Sequence, residues 1–161
     1  MPAASNEFLQ LVRHPLKFRM FLFYKLPAAF FSGVRVRYID ADKCVTTVPF
    51  KWLTQNPFRS TYFASLAMAA EMSTGVLSLA HLHKLKPPVS MLVVKLESNY
   101  FKKAVGRTTF TCVDGSLIQQ TIARAIETGE SHSINAKSIG TNDKGDVVAE
   151  FFVTWSFKRK G

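Results

Sequence analysis

The sequence predicts an α+β domain in which an antiparallel sheet curls around one long buried helix, and three observations predict it. The stretch from about 61 to 80, within "NPFRSTYFASLAMAAEMSTG" and its continuation, is apolar on nearly every side. A surface helix keeps one polar face, so this one must be covered all round. Runs that alternate with period two precede and follow it, as half-buried strands do. The chain has 161 residues and is 47% hydrophobic, enough for one domain with a sizeable core, taken as 1–161 with residues 1–32 as an N-terminal helical segment. An antiparallel sheet can bury a helix on all sides only by curling around it, or by having other elements close the open side.

Each element has its own signal. Between 6 and 31, Phe8, Leu11, Val12, Leu16, Met20, Phe23 and Tyr24 recur at near-helical spacing, with Ser5 or Asn6 as the cap and breaks at Pro15 and Pro27. "GVRVRYIDADKCVTTVPFKW" alternates, turns at "DADK" and alternates again, which predicts a hairpin. "TQNPFRS" is a loop by its Asn, Pro and Ser content. After the central helix, Pro87 and Pro88 keep it from running into the two strands of "KPPVSMLVVKLESNYFKKAVGRTTFTCVD". A short helix over 116–128 follows, with Leu117, Ile118, Thr121, Ile122, Ala125 and Ile126 as its apolar stripe, Asp114 or Ser116 as its cap and Gly129 as its stop. Two more strands end the chain, and in the last one Val147, Ala149, Phe151, Val153, Trp155 and Phe157 face one way.

Composition narrows the function classes. With 20% charged residues and 14 Phe, the chain carries enough apolar surface to offset the entropy of ordering, so it is not disordered. Its formal net charge of +10 favours anionic partners: nucleic acid, an acidic membrane surface, or a phosphate-bearing molecule such as a coenzyme A ester. Nucleic acid is not expected, because there is no helix-turn-helix signal, no aromatic RNA-binding motif and no long Lys/Arg cluster. Cys44 and Cys112 sit in separate alternating runs without a CxxC spacing, which predicts reduced thiols and a cytoplasmic protein. His81 and His83, two apart with no third ligand near, do not predict a metal site. "MFLFYKLPAAFFSGV" lies too far inside the chain to read as a signal peptide, and Lys25 and Pro27 interrupt it. Residues 60–80 approach spanning length, but Glu71 at their centre argues against a membrane span.

Glu71 is the residue that asks for a reason. Ala64, Ala67, Met68, Thr74, Gly75 and Ser78 share its stripe, so backbone from elsewhere can approach its carboxylate. It can be structural, paired with a cation such as Arg35 or Arg37 or capping a neighbouring backbone, or it can be a catalytic carboxylate. Asn56 before Pro57 is equally a turn residue, and Tyr62 reads as core or interface.

The residues from 56 to 71 resemble the thioesterases of the hotdog superfamily, a curled antiparallel sheet around one long helix. Their lead-in to that helix reads roughly N-H-x-G-T-x-H-G-G, followed by an Asp or Glu. Here Asn56 holds the Asn position, Ser60 and Thr61 lie near the small polar pair, and Glu71, fifteen residues after Asn56, holds the acidic one. The sequence departs from the pattern at Arg59 for its loop Gly, Tyr62 for its His, and Phe63 and Ala64 for its Gly pair. The basic N-terminal helix, "LP" then "GVRV", and the extra helix before the last two strands look like an uncharacterised, thioesterase-like branch, and the resemblance covers most of residues 25–158.

That resemblance implies an acyl-coenzyme A thioesterase, coenzyme A being part of the substrate and not a cofactor. Glu71 would be nucleophile or general base, the N–H of Phe63 or Ala64 would receive the oxyanion, Asn56 would orient water or carbonyl, and Ser90 would position water. Arg59, Lys102, Lys103 and Arg107 would meet the coenzyme A phosphates; the same cations are otherwise a solvated basic turn. It also implies a homodimer or dimer of dimers whose site forms between protomers. A non-catalytic acyl-binding protein of the same fold is the alternative, and a membrane-surface or nucleic-acid binder is a third class resting on charge alone.

Overall fold

The computed structural model describes residues 4–161; the first three residues of the N-terminal segment lie outside them. That segment forms three helices, α1 (Asn6–Arg13), α2 (Pro15–Lys25) and α3 (Pro27–Ser32). The breaks fall at His14 and Leu26, each directly before a proline, where ring clash disfavours helical backbone. Ser5 caps α1 by accepting from the Phe8 N–H at 3.3 Å.

Six strands follow: β1 (Arg35–Ile39), β2 (Cys44–Val48), β3 (Val89–Tyr100), β4 (Thr108–Cys112), β5 (His132–Thr141) and β6 (Val147–Arg159). They make one antiparallel sheet in the order β1–β2–β4–β5–β6–β3. The β1–β2 turn is held by Asp40, whose Oδ1 accepts from the N–H groups of Asp42 and Lys43 at 2.9 and 2.7 Å. Cys44 and Cys112 stand directly opposite each other on β2 and β4, buried and unbridged, a pairing invisible in their spacing. Burial pushes both thiols up, Cys112 to about 12, so they are inert in this state.

The central helix α4 (Phe63–Leu82) lies against β1, β2, β4, β5 and β6. It is long and apolar enough to cross a membrane by length and composition, but most of it is buried inside the fold. Its small residues Ala69, Ala70, Gly75 and Ala80 let the sheet come close. Several buried hydroxyls on that side are matched: Thr46 Oγ1 donates to the Ala69 carbonyl, Ser73 and Ser138 hydroxyls lie 2.7 Å apart, and the Trp155 indole N–H donates to Thr74 Oγ1 at 2.8 Å, whereas the Thr108 hydroxyl on β4 is buried without a partner among the described residues.

α5 (Gly115–Thr128) buries Ile118, Ile122 and Ala125 over β5, β6 and α4, while Leu117, expected on the same stripe, is exposed. Neither expected cap acts as one: Asp114 Oδ2 accepts from the Lys137 N–H, and the Ser116 hydroxyl donates to Asp42. On β6 the expected inward series holds from Ala149 to Phe157, but Val147 is exposed and Val148 is buried in its place, beside a register irregularity between Gly140 and Thr141 on β5. β3 is the other sheet edge, and Leu92, Val93, Val94 and Leu96 are exposed along it.

Candidate active site

Glu71 sits two turns into α4 on the one stripe the fold leaves partly uncovered, with Ala64, Ala67 and Met68 before it. Its carboxylate has neither a hydrogen-bond partner nor an ion pair among the described residues, and the structural alternative of pairing with Arg35 or Arg37 is not realised. Arg37 donates instead to Thr47 Oγ1 at 3.0 Å, and Arg35 lines separate cavities on the β1 edge. Burial raises the Glu71 carboxyl above the ordinary value, with no charged neighbour contributing. A cavity of about 210 Å³ adjoins it, lined by Lys25, Leu26, Pro27, Ala28 and Ala29 around the α2–α3 link and by Met68 and Met72; Lys25 makes no ion pair with Glu71. The N-terminal segment therefore covers the carboxylate, a role that "LPAA", with its break and two small residues, hints at only in hindsight.

Gly75 makes room for this arrangement. A Cβ there would lie 3.0 Å from Glu71 Oε1 and 3.1 Å from Cζ2 of Trp155. Thr74, which receives the Trp155 indole, donates in turn to the Glu71 carbonyl at 2.9 Å. Trp155 thus sets the backbone position of the turn that carries the carboxylate, although nothing in its alternating strand pattern marks it as part of this site.

The lead-in loop is a second, separate feature. Asn56 Oδ1 accepts from the N–H groups of Phe58 and Ser60 at 2.9 and 3.2 Å, and its Nδ2 donates to Ser60 Oγ at 3.1 Å. Its side chain is engaged in shaping the loop, as a turn residue's is. Arg59 adopts φ 60°, so the position where the resembling pattern has Gly does require left-handed backbone here, and an arginine occupies it. No side chain caps α4. Ser65 and Leu66 N–H groups go to the Tyr62 carbonyl, while those of Phe63 and Ala64, at the positive end of the helix, are unpaired among the described residues. Phe63, though not Ala64, borders a cavity of about 600 Å³ lined by Asn56, Tyr62, Phe63, Tyr100, Phe101, Lys102 and Lys103, among others.

The expected cations divide. Lys102 lines that cavity and pairs with Asp146 at 3.2 Å, and Lys103 lines it and donates to the Phe58 carbonyl at 3.2 Å. Arg59 is exposed on the loop outside it, and Arg107 lies with Arg35, Arg37 and Lys51 at the β1 edge. Ser90 is exposed on β3, donating to the Lys158 carbonyl at 3.1 Å, and does not line the Glu71 cavity. His81 is buried and lies 2.8 Å from the Ala41 carbonyl. No group of His, Cys, Asp and Glu able to hold a metal occurs among the described residues.

Within one chain the carboxylate and the free amides do not meet. Eight residues separate Phe63 from Glu71, about 12 Å along a helix at 1.5 Å per residue, and the two cavities have no lining residue in common.

A curled antiparallel sheet in this strand order, wrapped on one long helix, is the hotdog fold. Within that class, the chain belongs to the family described as a domain of unknown function (DUF4442), whose model matches residues 17–157. A comparison with curated proteins found no match. Among solved structures, the chain is similar to a Pseudomonas aeruginosa protein of unknown function called a probable thioesterase, with TM-score 0.78, 20% identity, and 91% of this chain and 97% of that one covered. It is also similar to a Haemophilus influenzae thioesterase (TM-score 0.70, 12% identity, 99% and 96% covered). A mutant Pseudomonas aeruginosa thioesterase gives TM-score 0.68 at 15% identity, with 93% and 99% covered.

Proposed function

We propose that the protein hydrolyses acyl thioesters, with acyl-coenzyme A as the substrate class and Glu71 as the catalytic carboxylate. The observation that carries this reading is the partly buried carboxylate, without a partner among the described residues, beside a cavity, because an ionisable group raised by burial and open to a cavity is what a general base needs. Thioesterase names on three structural neighbours support the same chemistry.

In this reaction, as a general base, Glu71 takes a proton from water while the water oxygen bonds to the carbonyl carbon, and the carbonyl oxygen turns toward the N–H groups of Phe63 or Ala64. The C–S bond then breaks and the thiolate leaves with a proton. Base and oxyanion donors must both lie within hydrogen-bond reach of one reacting centre, yet in one chain they stand about 12 Å apart along the helix axis and open onto cavities with no lining residue in common. A homodimer that brings the carboxylate of one copy to the helix start of the other resolves this. The β3 edge, apolar and unpaired, suits such a pairing. Lys102 and Lys103 at the helix-start cavity would face the phosphates of coenzyme A or of an acyl carrier protein.

One observation favours a second reading. Tyr62 and Phe63 put two exposed rings, 4.8 Å apart, at the helix start, which would suit holding an acyl chain without cleaving it. Thiol release from acyl-coenzyme A esters of graded chain length decides between them. Hydrolysis by the wild type that is lost in Glu71→Gln is expected; binding of the esters with no release from any of them would establish the second reading instead.

A further inference from the structure

The N-terminal helices show an apolar face that none of the described residues covers. On α2, Phe18 and Leu22 point inward, whereas Leu16, Met20, Phe23 and Tyr24 recur at helical spacing on the opposite side, 71%, 59%, 45% and 72% exposed. Phe31 extends this face, its ring 6.0 Å from that of Phe23. Trp52, 80% exposed, follows Lys51, whose ammonium donates to the Phe31 carbonyl at 2.8 Å. Contiguous exposed apolar surface of this kind marks an interaction site.

Unneutralised cations border the same face. Arg35, Arg37, Lys51 and Arg107 line a cavity of about 240 Å³ with no acidic residue in its wall. Burial and then the charges of Arg35 and Arg107 lower the Arg37 guanidinium, so these like charges do face one another. From Phe8 to Tyr38 the chain carries six Lys or Arg and no Asp or Glu.

We propose that this face docks the protein onto an anionic phospholipid surface, the exposed aliphatic and aromatic side chains entering the headgroup boundary and the cation-lined cavity taking a lipid phosphate. Charge decides the occupant. A second copy seated face to face would bring the same cations together, whereas an anionic bilayer offers both the phosphate and the apolar boundary that aromatic side chains favour. Docking stands apart from hydrolysis, but the α2–α3 link belongs to both this face and the Glu71 cavity, so a docked protein would hold that cavity next to acyl chains.

Co-sedimentation of the full chain with large phosphatidylcholine vesicles, with and without about one third phosphatidylglycerol, tests the proposal. Binding to the anionic vesicles only, weakening with salt, is expected. The triple variant Leu16→Ser, Tyr24→Ser, Trp52→Ser should bind at least about 10-fold more weakly, with thiol release from soluble esters and oligomeric state unchanged. Arg35→Glu with Lys51→Glu, both in the wall of the cavity, should weaken binding similarly. Absence of binding to anionic vesicles, or equal binding by the triple variant, overturns the proposal. So does conversion of the triple variant to a smaller oligomer in light scattering, which would assign the face to a second copy. Loss of soluble coenzyme A binding by the double variant with vesicle binding intact would give the cavity to a soluble phosphate and overturn it too.

Discussion

Two sides of α4 treat polar groups in opposite ways. On the side facing the sheet, Ser73, Thr74 and Ser78 are fully buried and each hydroxyl has a partner: Ser138 and the Ala70 carbonyl, the Trp155 indole and the Glu71 carbonyl, and the Thr74 carbonyl. On the side toward α3, Glu71 carries the only charged side chain of the helix's buried stretch and has no partner among the described residues. Buried polar groups in folded proteins are matched because an unmatched one costs about 1–3 kcal/mol. Thr108 and Thr61 hydroxyls are also buried without a partner among the described residues, but Glu71 differs from them in being ionisable and in opening onto a cavity.

The largest expected effect breaks the unmatched side. Glu71→Gln keeps the size of the side chain and removes the base, so kcat for thioester hydrolysis should fall at least about 100-fold, measured as free thiol. Wild-type activity should fall as pH drops through the Glu71 pKa, with its acid limb above the ordinary glutamate value of about 4.3, because the base must be ionised. Stability gives an independent readout. The native pKa is raised above the unfolded one, so the protonated form is the one the fold favours, and that contribution is present at low pH and lost as pH rises through the native value. Glu71→Gln should consequently melt higher than wild type near pH 8, with the difference vanishing below about pH 4. An unchanged melting difference across that range would mean that the carboxylate is solvated.

Next in size is crowding at the point where the two sides meet. Gly75→Val would press on both Oε1 of Glu71 and the Trp155 ring, and should cost about 2 kcal/mol in chemical denaturation. On the matched side alone, Ser138→Ala leaves Ser73 with its Ala70 carbonyl and should cost about 1 kcal/mol without changing kcat. A kcat change in this variant would end the separation of the two sides. The smallest effect is expected in the lead-in loop, where Arg59→Gly relieves a left-handed backbone and should stabilise by about 0.5–1 kcal/mol.

Much of the fold was legible because local rules and global packing agree. Pro15 and Pro27 placed the helix breaks, the alternation of β6 from Ala149 to Phe157 placed its inward face, and the all-round apolarity of α4 required a sheet around it. The misreadings at Val147 and Leu117 come from a local irregularity and from an element edge, where periodicity loses its hold. Asp114 and Ser116 look like caps, yet partners distant in sequence claim their side chains.

The candidate site divides in the same way. Sequence by itself determined that α4 is a core helix with one carboxylate, since composition and spacing act within a few turns of chain. Only the tertiary structure decided that α3 would roof Glu71, that Trp155 would hold its turn, that Arg107 would join Arg35 and Arg37 and leave Lys102 and Lys103 behind, and that the carboxylate and the free amides would stand apart in one chain. Those outcomes depend on contacts between residues many positions apart, which no local periodicity encodes.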